Sequence, residues 1–490
     1  MQRAAETADV IELRLDCLEA SERAIGRGLL AEWLSQSGVP VILTLRASEQ
    51  GGHAAIDAET RERFWTSVDK LPDVCLIDLE LDLTERFANE ESNLKLPIDW
   101  RGVICSHHDF TGTPADLDQI YERMAATPAG ILKIAVQAND ATDCLEVFRL
   151  LSRAQRDERE MIAIAMGQAG VATRVLGPAR GSFLTYGALD EATTTAPGQL
   201  GATELRELYR IDQINRDTKV FGLMGRPVSH SISPQIQNRA FAAAGIDAAY
   251  LLFEVLDAGE FLRRMVRPES RELDWNLRGL SVTSPHKTAV IETLDWIDPA
   301  AKEIGAVNTI VVKGTELHGY NTDAPGFISP LRNKIGELKG MRCAIIGAGG
   351  GARAVLWGLR KEGAQVELFV RNVTVARPIA EEFGVACTGL AGVDFKDFDV
   401  VINATPQGTR GAHEHETPAT AAQLRNVRLA YDLVYNPLET RFLREARAAG
   451  CETLSGIEML VAQAVEQFKL WTGQTPQTDL MSAAAMNAVH

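Results

Sequence analysis

The 490-residue sequence has no long hydrophobic run and less positive than negative charge. No stretch approaches about 18 uninterrupted apolar residues, which argues against a membrane-spanning helix. The opening residues, MQRAAETADV, lack the basic segment followed by an apolar one that marks a secretory signal. Lys and Arg total 50 against 66 Asp and Glu, and this net charge of −16 argues against nucleic acid or an anionic membrane as the main partner. We therefore expect small molecules, anionic ones included, as the partners.

Cysteine is scarce and scattered. The seven cysteines stand singly, their number is odd, and no two have CxxC spacing. Several, such as Cys75 and Cys343, lie inside apolar runs, which is typical of reduced core residues in an intracellular protein. We therefore expect a cytoplasmic location and no metal site.

A βα rhythm runs through the first 215 residues. Apolar runs that read as strands buried on both faces begin mostly about 30 residues apart, with helix-like stretches between them. The runs occupy residues 10–16, 41–46, 74–81, 102–110, 131–137, 161–167 and 183–187. A (β/α)8 barrel has about 250 residues and eight such units. We therefore predict an α/β barrel without an evident first strand, and we expect the natural protein to begin about 20 to 30 residues before Met1.

Polar residues interrupt these strands at places that suggest chemistry. Glu12 and Arg14 are two apart in one strand and so face the same side. Lys133 lies inside the apolar run ILKIAV, and burial favours the neutral amine, a nucleophile toward ketones. The other interpretation is a lysine paired inside the barrel with Glu12 or Glu80. His108, which follows a strand, is either an acid/base group or a structural histidine.

Six strings in the first segment together resemble the type I 3-dehydroquinate dehydratases over residues 4–213: ELRLD, LTLRASEQGG, HHDFTGTP, LKIAV, MGQAGVATRVLG and TAPGQL. The resemblance implies that Lys133 forms an imine with the substrate ketone and that His108 is the general acid/base. It also implies substrate-binding roles for Glu12, Arg14, Arg46, Arg174, Thr195 and Gln199, with Arg174 the carboxylate clamp. The sequence departs from the family pattern at Gln50, where the family has Glu, and at Thr195, where it has Ser.

A second βα series begins at residue 219, and a strand, glycine turn and helix begin near Lys339. The turn GAGGGA fits the dinucleotide pattern GxGxxG/A, with Gly347, Gly349 and Ala352 at the three key places. Arg371 directly follows the next strand, where an acidic residue would suit a free ribose hydroxyl. A guanidinium suits a 2′-phosphate instead, which favours NADP over NAD, although Arg371 could also be a solvated loop residue.

Residues 219–490 closely resemble the shikimate dehydrogenases in seven strings: GRPVSHSISPQIQNRAF, GLSVTSPHK, GAVNTI, GYNTD, NATPQGT, DLVYNPLET and GIEMLVAQAVEQFKLWTG. The resemblance implies a catalytic pair of Lys287 and Asp323. The implied substrate-binding residues are Ser231, Ser233, Thr283, Asn308 and Gln463. The implied cofactor-binding residues are Gly347, Gly349, Gly350, Arg371, Asn403 and Thr405.

These resemblances lead us to predict a bifunctional α/β enzyme of the shikimate pathway. A barrel over residues 1–215 would dehydrate 3-dehydroquinate, and a two-lobed dehydrogenase would reduce the product to shikimate with NADPH. Its substrate-binding lobe would span 219–325, rejoined by 463–490, and a Rossmann lobe would span 326–462. The alternative is a shikimate or quinate dehydrogenase attached to a degenerate, non-catalytic barrel.

Overall fold

The computed structural model describes residues 2–35, 37–72, 74–91, 94–190 and 196–489. The chain forms two compact units, Met1–Asp217 with Leu252–Val255, and Thr218–Leu251 with Leu256–His490. Within the described ranges, no helix is both long enough and apolar enough to cross a membrane.

The first unit is built on one parallel sheet whose strands follow one another in chain order. Its strands are β1 (Ile11–Arg14), β2 (Val41–Thr44), β3 (Cys75–Glu80), β4 (Val103–Asp109), β5 (Ile131–Gln137) and β6 (Glu160–Met166). Its helices are α1 (Gln2–Ala5), α2 (Ala20–Ser35), α3 (Ala58–Ser67), α4 (Leu81–Ala88), α5 (Leu117–Ala125), α6 (Cys144–Arg156) and α7 (Val171–Leu176). Strand, helix and parallel strand alternate as the βα rhythm predicts.

The strand expected near the end of this unit is wrong. Residues 183–187 do not form a strand, because the chain meets β6 only near its start, where Phe183 N–H donates to the Met161 carbonyl at 2.7 Å, and then leaves the ladder. Further along the chain, a π-helical turn forms at Glu204–Leu208. Arg210 has a left-handed backbone with φ +52°, which ends that turn.

Alternate residues of the parallel strands share one face and form layers there. The deepest layer is apolar and contains Ile42, Ile104, Ile131 and Ile162. Two residues further along the strands, the same face carries polar groups instead, among them Thr44, Asp78, Ser106 and Lys133. Because parallel strands end at the same edge, this change from apolar to polar places the chemistry toward their carboxyl ends.

The second unit begins with a mixed sheet in the order β10-β12-β11-β9-β7-β8. Its strands are β7 (Lys219–Gly225), β8 (Ala248–Glu254), β9 (Leu277–Val282), β10 (Trp296–Ile297), β11 (Thr309–Lys313) and β12 (Glu316–Tyr320). The helices of this part are α8 (Ser233–Ala243), α9 (Ala258–Phe261), α10 (Pro299–Ile304) and α11 (Asp323–Ile335). Strand β11 runs antiparallel to both β9 and β12.

A second, fully parallel sheet follows in the order β15-β14-β13-β16-β17-β18. Its strands are β13 (Arg342–Ile346), β14 (Gln365–Val370), β15 (Ala386–Gly389), β16 (Val400–Asn403), β17 (Leu429–Asp432) and β18 (Glu452–Leu454). The helices are α12 (Gly350–Lys361), α13 (Val373–Phe383), α14 (Arg441–Ala448), α15 (Gly456–Thr472) and α16 (Thr478–Val489). This is the doubly wound Rossmann order, which reverses beside β13 and creates a ligand crevice there.

The last two helices return to the first part of this unit. Helix α15 packs along α11, and α16 packs against α8. From α15, Trp471 Nε1 donates to the Ile310 carbonyl at 3.1 Å.

Candidate active sites

One pocket in the first unit gathers most of the residues that the sequence singles out. It is lined by Glu12, Arg14, Arg46, Gln50, His108, Lys133, Arg174, Tyr186 and Gln199, among others. Thr195, the remaining predicted residue, lies outside the described part of the chain. One pocket thus brings together a buried amine, an imidazole and several guanidinium groups.

Lys133 is paired with a carboxylate that the sequence analysis did not single out. It is 5 % exposed, and its Nζ donates to Oδ2 of Asp78 at 2.9 Å. The expected alternatives, Glu12 and Glu80, are engaged elsewhere: Glu12 accepts from Thr44 Oγ1, and Glu80 accepts from Ala47 N–H and pairs with Arg61. Of these three carboxylates, Asp78 is the one that accepts a hydrogen bond from Lys133 Nζ.

Asp78 is the centre of a buried network. Arg46 Nη2 donates to its Oδ2 at 2.6 Å, and Ser106 Oγ donates to its Oδ1 at 2.6 Å. Burial alone would raise the pKa of the Asp78 carboxyl, but Arg46 and Lys133 outweigh it and hold that pKa well below its usual range. Asp78 therefore stays ionised and fixes the position of the lysine amine. The polar residue inside the apolar run VCLIDLEL was the signal that could have identified it.

His108 lies at the carboxyl end of β4 and is a neutral imidazole. Burial lowers its pKa well below the ordinary value of 6.5, and the nearby cations Arg46 and Lys133 lower it further. Its backbone N–H donates to Gln50 Oε1 at 2.7 Å, while its buried Nδ1 has no hydrogen-bond partner within the described residues. A neutral imidazole in this position can accept a proton at neutral pH.

Arg174 is a buried cation without a carboxylate partner among the described residues. It is 1 % exposed, its Nε has no hydrogen-bond partner there, and its Nη2 reaches the Pro197 carbonyl at 3.4 Å. Burial lowers the pKa of its guanidinium to about 10. By contrast, Arg14 is paired with Asp16 through two hydrogen bonds of 2.9 and 2.7 Å. Arg174 is thus the guanidinium best prepared to take the carboxylate of a ligand.

A larger pocket lies in the second unit. It brings together all of the predicted catalytic and substrate-binding residues of this half: Ser231, Ser233, Thr283, Lys287, Asn308, Asp323 and Gln463. Lys287 Nζ donates to Asp323 Oδ2 at 2.5 Å, and Asn308 Nδ2 donates to Asp323 Oδ1 at 2.7 Å. The Oγ atoms of Ser231 and Ser233 are 3.1 Å apart. The amide thus orients the carboxylate, which in turn holds the lysine.

The sequence analysis did not single out several further polar residues of this pocket. Tyr435, in the loop after β17, and Gln467, on α15, both line it. Gln467 Oε1 accepts from Ser281 Oγ at 2.8 Å, and Ser281 Oγ accepts from the Tyr250 hydroxyl at 2.7 Å. This chain of hydrogen bonds ties α15 to β9. Gln467 lies four residues after Gln463, the helical spacing that places both on one face.

The glycine turn after β13 has the backbone of a dinucleotide site. Gly347 has φ +107°, and a Cβ there would lie 2.8 Å from Thr405 Cγ2, so only glycine fits. A Cβ at Gly349 would meet open space, and the backbone N–H groups that begin α12 are available to a phosphate. Asn403 donates to Asp432 Oδ1 and accepts from Thr405 N–H, and it thereby fixes the loop after β16, which faces the glycine turn.

Gly350 starts α12, and Arg371 follows β14 directly as an exposed residue. These residues fit a dinucleotide whose pyrophosphate meets the turn and whose ribose phosphate meets Arg371. Within the described residues, no cluster of His, Cys, Asp and Glu could hold a metal ion.

Three family models match the chain. They are described as type I 3-dehydroquinase over residues 1–216, shikimate dehydrogenase substrate-binding domain over 223–310, and shikimate 5′-dehydrogenase C-terminal domain over 456–486. These matches confirm the predicted fold class of a dehydratase-type barrel followed by a two-lobed dehydrogenase.

Individual relatives cover the same two halves. The bifunctional 3-dehydroquinate dehydratase/shikimate dehydrogenase of Arabidopsis thaliana chloroplasts is 35 % identical over 487 residues, 95 % of this chain and 78 % of the relative. The NADP(+) shikimate dehydrogenase of Methanosarcina mazei is 40 % identical over 55 % of this chain and 99 % of its own. A crystal structure of shikimate 5-dehydrogenase from Thermus thermophilus, with NADP(H) and shikimate, is 36 % identical with a TM-score of 0.50 and covers 55 % of this chain and 99 % of that one.

Proposed function

The chain belongs to the family of bifunctional 3-dehydroquinate dehydratase/shikimate dehydrogenases, and we propose on that premise how its residues divide the two reactions. The first unit dehydrates 3-dehydroquinate to 3-dehydroshikimate, and the second reduces this product to shikimate with NADPH. The observation that carries the proposal is the buried Lys133 amine, held by Asp78 at 2.9 Å in one pocket with His108.

In the dehydratase reaction, the Lys133 amine attacks the ketone carbon of 3-dehydroquinate and forms an imine, with loss of water. Neutral His108 takes the proton from the carbon next to the imine, and then returns a proton to the hydroxyl that leaves as a second water. Arg174 binds the substrate carboxylate. Glu12, Arg14, Arg46, Gln199 and Thr195 bind the remaining oxygens. Hydrolysis of the imine releases 3-dehydroshikimate and restores the amine.

In the reductase reaction, NADPH supplies a hydride when bound. Gly347, Gly349 and Gly350 would hold its phosphates and Arg371 its 2′-phosphate, while Asn403 and Thr405 would shape the cofactor site from the end of β16. Ser231 and Ser233 bind the substrate carboxylate, while Thr283, Asn308 and Gln463 bind ring hydroxyls. Lys287, oriented by Asp323, donates a proton to the carbonyl oxygen as that oxygen gains charge.

The decisive experiment uses each half of the enzyme as the control for the other. Borohydride added with 3-dehydroquinate should trap the imine and add substrate mass at Lys133. Lys133→Ala should abolish trapping and dehydration and leave reduction of 3-dehydroshikimate unchanged, since the units have separate cores. Lys287→Ala should do the reverse. A Lys133→Ala protein that dehydrates at close to the wild-type rate contradicts the proposal, and a wild type without dehydratase activity favours a non-catalytic barrel.

The proposed domain limits are 1–215 for the dehydratase, 219–325 with 463–490 for the substrate-binding lobe, and 326–462 for the NADP-binding lobe. The seven cysteines are free thiols, which suits a reducing compartment such as the cytoplasm. A fractionation experiment that follows dehydratase activity tests this location.

A further inference from the structure

Tyr186 is a polar residue of the dehydratase pocket that the mechanism above does not use. It lies in the segment after β6 and lines the pocket together with Lys133 and His108. The face of its ring covers the reacting amine, with Lys133 Nζ 4.3 Å from the ring centroid. This distance is within the range of a cation–π interaction.

The Tyr186 hydroxyl is buried and has no hydrogen-bond partner within the described residues. Burying a hydroxyl without a partner is unfavourable, so such a group on the wall of a pocket points to a ligand that completes it. Three neighbours in the pocket are already paired with protein groups: Glu12 accepts from Thr44, and Arg46 and Lys133 both donate to Asp78.

The electrostatic environment keeps this hydroxyl a hydrogen-bond donor. Burial raises the pKa of Tyr186 well above 10, and the carboxylates of Glu12 and Asp78 raise it further. The phenol is therefore neutral throughout any practical assay range. The nearby Glu12 can only accept a hydrogen bond while ionised, so Tyr186 supplies the donor that Glu12 cannot.

We propose that Tyr186 is a further catalytic residue of the dehydratase site. Its ring stabilises the positive charge on Lys133 Nζ, first as ammonium and then as the protonated imine. Its hydroxyl donates a hydrogen bond to an oxygen of the bound substrate. The inference rests on the proposed dehydratase function, and it adds a contact on the side of the pocket where Glu12 lies.

Two substitutions separate the ring from the hydroxyl. Tyr186→Phe keeps the ring over Lys133 and removes only the hydroxyl, and should lower kcat/KM for 3-dehydroquinate about tenfold, the usual scale for one lost hydrogen bond. Tyr186→Leu also removes the ring. In this variant, borohydride should trap less substrate on Lys133 in a fixed time than it does in Tyr186→Phe. Tyr121→Phe is the matched control, because it removes a buried phenol hydroxyl that pairs with Asp157 at 2.8 Å.

The wild-type trapping reaction distinguishes failure of the inference from failure of the proposed function. If the wild type gains no substrate mass at Lys133, the proposed imine chemistry fails. If the wild type is trapped normally and Tyr186→Phe keeps kcat/KM within threefold, the inference about Tyr186 is overturned. A larger loss in Tyr186→Phe than in Tyr121→Phe, with reductase activity unchanged in both, supports it.

Discussion

We expect the buried Arg174 to lower the free energy of unfolding of the substrate-free protein, because its charge has no partner until a substrate carboxylate binds. Its guanidinium is 1 % exposed and faces no carboxylate among the described residues, and burial lowers its pKa from 12.5 to about 10. At about 1.4 kcal/mol per pKa unit, that drop corresponds to ~3 kcal/mol of unfavourable free energy. A lowered pKa on a base penalises the folded state wherever the group is charged in it, so the penalty is fully present below pH 10. Arg174→Met keeps an unbranched stem and removes the charge.

We therefore expect Arg174→Met to stabilise the first unit by ~1 to 3 kcal/mol at neutral pH, the lower end allowing for lost packing. Hydrogen exchange of the β4 to β6 amides in the full chain measures this, because strongly protected strands report the opening free energy of their own unit. Dehydratase kcat/KM should meanwhile fall at least about 10²-fold, since a charge-assisted pair with the substrate carboxylate is lost.

Arg46→Met is the matched control, because Arg46 is equally buried but paired with Asp78 at 2.6 Å. Removing it leaves the Asp78 carboxylate short of a partner, which should destabilise the unit by about 3 kcal/mol or more. The two arginines should therefore shift stability in opposite directions. If Arg174→Met destabilises the unit as Arg46→Met does, Arg174 has a structural partner and the reasoning is refuted.

Four further predictions concern His108, Asp323 and Arg371. Burial lowers the pKa of His108, so this base should remain neutral until the pH falls below 6.5. The acidic limb of the pH profile of dehydratase kcat/KM should therefore lie below that value. An acidic limb above pH 6.5 would contradict the assignment of His108 as the base. Because of the same lowered pKa, His108 takes up its proton at a higher pH in the unfolded state than in the folded state. The free energy of unfolding of this unit should therefore fall as the pH drops below 6.5. Urea titrations at several pH values would measure this. Asp323→Asn should reduce reductase kcat about 10²-fold with unchanged dehydratase activity, because the amide cannot hold the Lys287 ammonium as a charged partner; equal loss of both activities would instead indicate unfolding. Arg371→Ala should raise the KM for NADPH and leave the KM for NADH nearly unchanged, whereas a wild type that prefers NADH would show that Arg371 does not bind the phosphate.

The sequence predicts the site best where strand parity decides which side chains meet. Because residues two apart share a face, the spacing of Glu12 and Arg14 placed both in one pocket, and Lys133 and His108 on neighbouring strands face that same pocket. The dinucleotide turn was equally predictable, since Gly347 requires a backbone with φ +107° that other residues rarely adopt.

The partner of Lys133 depends on information that local patterns do not contain. Asp78, Glu80 and Glu12 are all inward-facing carboxylates, and only the register and curvature of the sheet decide which of them reaches the amine. The prediction of a strand at residues 183–187 was wrong for a related reason. It is apolar enough for a strand, but it contacts the inner face through Leu184 and Tyr186 rather than joining the ladder.

The two lysines that we propose as catalytic show how the same pair of residue types can suit different chemistry. Lys133 is 5 % exposed, and its carboxylate partner is fixed by Arg46 and Ser106, so the amine is held away from water where an imine must survive. The side chain of Lys287 is 19 % exposed in a larger pocket, and its partner Asp323 is fixed by the neutral Asn308. A proton donor needs only orientation and a route for the proton, so partial exposure does not harm it. In each site the group that orients the carboxylate, cationic for the nucleophile and neutral for the acid, is the feature that matches the lysine to its reaction.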